Sequence, residues 1–122
     1  LTLGNHDLNL KHSTSVSSLD GLDMHPKIKV FREITPVGDH FLFIPYYEDQ
    51  SKIVAWIQDF ARQYPERAAK LTVFGHLGIN GAVQNTRYKT TFSGAVGPDV
   101  FAPFKATYSG HFHVHQRMDH RV

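Results

Sequence analysis

Apolar residues fall into short blocks along this chain, and the spacing inside each block predicts its element. The unbroken run Phe41-Leu42-Phe43-Ile44, closed by Pro45, predicts a strand covered in a sheet. Beyond it, Ile53, Ile57, Phe60, Ala61 and Tyr64 recur at three and four residues. That period predicts a helix over about 50–64, with Asp49 as cap, Gln58, Arg62 and Gln63 outward, and Pro65 as stop. Trp56 lies just off the stripe and is expected to pack at its border. Leu71-Thr72-Val73-Phe74 then predicts a second strand, and strand, helix, strand is the order of a crossover packed on a sheet.

The flanks are less regular. Leu1-Thr2-Leu3 alternates as a strand end would, and Ile28 and Val30 extend a strand from His25-Pro26 to about residue 32. Between them, 8–23 is polar and serine-rich and reads as loop with one helical turn near 16–19. Thr35-Pro36-Val37-Gly38-Asp39 reads as a turn. From 75 to 106 the chain is rich in glycine, predicting loops with short strands around 88–92, before a last strand near 105–109. The sum is one α/β domain over 1–122 built on a mixed sheet.

Composition narrows the function classes. Hydrophobic residues make up 41% and charged residues 20% of 122, ordinary for a globular domain, and the net charge of +2 is too small to argue for nucleic acid by itself. With no cysteine, disulfides, thiolate metal sites and a cysteine nucleophile are excluded, which suits a reducing cytoplasm. No run approaches the ~20 apolar residues of a membrane span, and no signal-peptide pattern is present, so no membrane role is expected. The unusual count is nine histidines.

Several of those histidines sit at the ends of predicted strands. Gly4-Asn5-His6-Asp7 follows Leu1–Leu3, Gly75-His76 follows the 71–74 run, and Gly110-His111-Phe112-His113 follows the last strand, where Gly110 would permit close approach. Asn carbonyl and neutral imidazole are ligands for borderline divalent ions, so Asn5, His76, His111 and His113 are candidate metal ligands. Asn5 also suits a turn beside Gly4, and Asp7 suits the cap of a short helix. His115 continues the alternation. His12, His25, His40 and His120 are expected to be ordinary surface or core residues, Arg87 and Lys89 a solvated strand face, and Lys105, Arg117 and Arg121 unspecific phosphate contacts.

In this order, the three blocks resemble the last three motifs of calcineurin-like metallophosphoesterases. With Phe43-Ile44-Pro45, Phe74-Gly75-His76 and Tyr108-Ser109-Gly110-His111-Phe112-His113, they are most similar to the phage and bacterial nuclease subunits of recombination and double-strand-break-repair exonucleases. The resemblance implies a mixed-sheet fragment of a four-layer αββα fold. It implies that Asn5, His76 and His111 bind one metal and His113 the other, that His6 protonates the leaving oxygen, and that Asp7 orients His6 through a hydrogen bond.

The same resemblance implies a two-metal phosphodiesterase, with Mn2+ as the expected ion and Mg2+, Fe2+ or Zn2+ as alternatives. DNA would be the substrate, an ATPase subunit or a second copy the partner, and a bacterial or phage-infected cytoplasm the compartment. A small-molecule phosphoesterase and a catalytically incomplete binding module are the competing expectations. The resemblance places an Asp-x-His and a Gly-Asp, source of the bridging carboxylate, ahead of Gly4-Asn5-His6-Asp7, and no residues of this sequence supply them there. The chain is therefore expected to be the C-terminal portion of such a domain, holding by itself at most the Asn5, His76 and His111 ion.

Overall fold

A computed structural model describes residues 1–10 and 12–122. In chain order the elements are β1 (Leu8–Leu10), β2 (Ser13–Ser17), α1 (Asp20–Asp23), β3 (Thr35–Val37), β4 (Phe41–Ile44), α2 (Ser51–Gln63), α3 (Pro65–Ala68), β5 (Thr72–Gly75), β6 (Val83–Asn85), β7 (Thr90–Thr91) and β8 (Ala106–Ser109), with 3₁₀ turns at Pro98–Phe101 and Asp119–Arg121. A four-stranded sheet ordered β3-β4-β5-β8 organises them. β3 runs antiparallel to β4, whereas β4, β5 and β8 are mutually parallel neighbours, so the sheet is mixed as expected.

The crossover forms where the periodicity places it. α2 joins β4 to β5 and buries Ile53, Ile57 and Phe60 against Leu42, Ile44 and Val73, with Phe101 and Phe104 completing the core. Asp49 Oδ1 accepts the Ser51 amide at 3.1 Å, satisfying a donor the first helical turn leaves unpaired. Trp56 stacks on Phe60 at 4.8 Å, the expected border position. Pro65 interrupts the helix after Gln63 and at once opens the short α3.

The opposite face of the sheet is aromatic and incompletely covered. Phe31 stacks on Phe43 at 4.4 Å, Phe43 on Phe74 at 5.9 Å, and Phe74 on Tyr108 at 5.4 Å, forming a ladder across β4, β5 and β8. Tyr108 keeps 60% of its surface exposed and Phe41 44%.

Three expectations need correction. Neither 1–3 nor 28–32 is a strand; the two meet in a single parallel bridge between Thr2 and Phe31. Pairing stops there because Leu3 O accepts the Tyr46 amide instead and the chain turns back at once, Asp7 N donating to Gly4 O. The serine-rich stretch forms the β1–β2 hairpin, because serine and threonine alternate with Val16 as a strand allows, and its helical turn lies later, at α1. Lys11 lies outside the described residues. The expected turn at 35–39 divides into β3 and a true turn at Gly38, whose φ of 56° glycine adopts freely; Pro36 is tolerated because β3 is an edge strand. The glycine-rich stretch carries its expected short strand as β7, within 88–92, and pairs it with β6.

Among the described residues, no helix is long and apolar enough to cross a membrane.

Candidate metal centre

Two parallel strands deliver two histidines to one edge. Gly75 at the end of β5 is in register with Ser109 at the end of β8, so His76, one residue on, and His111, two residues on, emerge side by side. The third group arrives from the N-terminal segment. Fully buried Leu3 anchors that segment to the end of β4 through its 2.8 Å bond from Tyr46 N, and the Gly4–Asp7 turn presents Asn5.

The donor atoms then converge. His76 Nε2 lies 2.8 Å from Asn5 Oδ1 and 2.9 Å from His111 Nδ1. A ring nitrogen bears at most one proton, so a single N–H at His76 Nε2 would have to be shared between two acceptors. A proton on His111 Nδ1 instead would leave the His76 and Asn5 lone pairs facing each other. A cation would satisfy all three lone pairs, and donors at about 2.1 Å in an octahedral shell stand about 3.0 Å apart, close to the two spacings about His76 Nε2. The donor set therefore fits a borderline divalent ion.

Electrostatics favour the same use. Burial pushes the His76 pKa below its usual 6.5, the nearby His111 adds to this, Asp7 works against it, and His6 and His113 lower it further. Burial likewise lowers His111, aided by His113 and His6. Both imidazoles thus keep a free lone pair at neutral pH.

The remaining predicted residues are placed differently. His6 and His113 are exposed and make no hydrogen bond among the described residues, though they lie close enough for their charge to act on the buried pair. Asp7 does not orient His6. Its Oδ2 accepts the Gly4 amide at 2.8 Å and its Oδ1 the Ser18 hydroxyl at 3.2 Å, so closing the 4–7 turn uses the carboxylate. Gly110 is also not where close packing occurs, since a Cβ there would meet nothing within 4 Å. Of the glycines around the cluster, the crowded ones are Gly4, where a Cβ would stand 3.0 Å from the His76 ring, and Gly75, where it would stand 2.8 Å from Leu77.

Two supporting residues escaped the sequence reading. Tyr46 sets its ring against both His76 and His111, with centroids 6.3 and 6.1 Å away. Its place just after the Pro45 strand stop was the available signal. Ser109 Oγ accepts from Leu77 N at 3.1 Å and donates to Leu77 O at 2.9 Å, pinning the loop after His76 to the end of β8. Nothing in a lone serine announces that role.

Among the described residues, no three His, Cys, Asp or Glu side chains form a metal-holding group. The cluster is completed only by the Asn5 amide oxygen, and it lacks a carboxylate. No protein-family model, curated protein or solved structure matches this chain.

Proposed function

We propose that Asn5, His76 and His111 are the neutral half of a metal-dependent phosphoesterase centre, acting on phosphodiesters and best suited to DNA. The observation behind this reading is the approach of Asn5 Oδ1 and of His111 Nδ1 to His76 Nε2, at 2.8 and 2.9 Å, from positions 71 and 35 residues away in sequence. Mn2+ is the ion such mixed amide and imidazole donors would hold, with His113 the reserve ligand for a second ion. Divalent ions there would offset charge on a bound phosphate and activate water for in-line attack. His6, exposed beside the cluster, is placed to protonate the leaving oxygen. Asp7 holds the turn that presents Asn5 and His6.

The fold belongs to the same reading. We take the mixed sheet as one layer of a four-layer αββα domain, of which this chain supplies the part bearing the Asn and His ligands. The support is the uncovered Phe43, Phe74 and Tyr108 face, which a second sheet would bury. Without a carboxylate bridge, the chain alone is expected to hold one ion and to turn over slowly.

Calorimetric titration with Mn2+ tests the site. One ion per chain is expected, with Asn5→Ala, His76→Ala and His111→Ala each weakening binding by about tenfold or more. Release of nucleotides from linear DNA and hydrolysis of bis(p-nitrophenyl) phosphate should both be Mn2+-stimulated. Binding no ion would sink the centre, and cleavage of the chromogenic ester without DNA would transfer it to small-molecule substrates.

A further inference from the structure

The sheet ends at β8, and the free side of that strand opens into a groove. Among the described residues β8 pairs with β5 alone, so half of its backbone N–H and C=O groups point away from the sheet. An edge of that kind is a template for another strand. The groove beside it has a volume of about 570 Å³ and is bounded by all four residues of β8, by Leu77, Ile79 and Ala82, and by Phe112, Val114 and Met118 of the C-terminal segment.

Two more features specify what would fit. Thr107, 2% exposed and lining the groove, keeps its hydroxyl without any hydrogen-bond partner. A buried hydroxyl left in this way calls for a partner from outside the chain. The ionisable side chains lining the groove are His115, Arg117 and Arg121, with no carboxylate among them. Arg121 is fixed beside the start of β8 by donating to Lys105 O at 3.1 Å.

From this geometry we infer that β8 receives an extended segment of a protein partner, acidic and apolar by turns, as a fifth strand. The segment's main chain pairs with the open edge, and its apolar side chains enter the groove at alternate positions. The segment's acidic residues meet Arg117 and Arg121. A second copy of this chain is disfavoured, because pairing β8 with itself would bring two sets of these cations together. The inference stands independently of the metal centre.

Fluorescence anisotropy with a short labelled peptide alternating valine and glutamate tests it. Saturable binding is expected, weakened by about tenfold or more when alternate peptide amides are N-methylated or when glutamate is replaced by lysine. The Arg117→Glu, Arg121→Glu double variant should lose the glutamate peptide and gain the lysine one, a reversal that a misfolded variant would not show. Absence of saturable binding, equal binding of the N-methylated peptide, or sedimentation showing a dimer that excludes the peptide would each overturn the inference.

Discussion

His76 is half-buried behind Gly4 and Tyr46, and that burial, more than any neighbouring charge, keeps its imidazole neutral. His111 shares the condition. In chelator, the unfolded chain binds protons at these two rings with an ordinary pKa near 6.5 while the folded chain resists them. Folding stability contributed by the pair is therefore full above about pH 6.5 and is lost as pH falls through the lowered folded values. Thermal unfolding followed from pH 8 to pH 5 should show this decline, and His76→Gln should flatten it; an unchanged slope would separate the pair from the acid response. Asp7 illustrates the limit of reading roles from residue type at this scale. A carboxylate beside a histidine can orient the ring or close a turn, and two backbone and hydroxyl donors lie nearer than His6 Nδ1 or Nε2.

The β4–α2–β5 crossover sets the position of the candidate site, because its register fixes where β5 ends and His76 begins. Leu42, Val73, Ile53 and Ile57 are buried between sheet and helix. Ile57→Ala removes three carbons from a 1% exposed side chain and should cost about 2–5 kcal/mol by urea denaturation, depending on how far the cavity collapses. A cost below about 1 kcal/mol would mean the helix is not clamped to the sheet as described. The β1–β2 hairpin is held differently, by polar bonds. Arg32 Nη2 meets Asp20 Oδ1 at 2.7 Å and Arg32 Nη1 reaches Thr14 O at 3.2 Å, so the serine-rich stretch needs no apolar stripe to fold back.

At the scale of the whole molecule, the sheet is covered by α2 on one face and only partly on the other. Phe41 and Tyr108 flank the stacked Phe43 and Phe74, leaving a contiguous aromatic surface of a kind usually covered in a folded protein. The isolated chain should therefore bind a hydrophobic dye such as ANS. Phe41→Lys with Tyr108→Lys should cut the dye signal severalfold while circular dichroism stays unchanged, since neither side chain is buried, Phe41 being 44% and Tyr108 60% exposed. Dye binding indifferent to that pair of substitutions would place the apolar surface elsewhere.

Sequence periodicity alone was enough for β4, α2 and β5, because each is an apolar run or stripe whose burial dominates its local energetics. The same pattern set His76 and His111 side by side, since both lie just past the ends of neighbouring strands, whereas Asn5 reaches them from a segment that is not a strand. Short polar segments were not legible: the 8–23 hairpin, β3 and the lone Thr2–Phe31 bridge depend on partners distant in the chain. The tertiary structure also decided that Gly4 and Gly75, rather than Gly110, are crowded, that Asp7 serves the backbone, and that Tyr46 walls the histidine pair. Each of these is set by what stands opposite a residue in space, and a linear pattern encodes which face a residue occupies without encoding what it meets there.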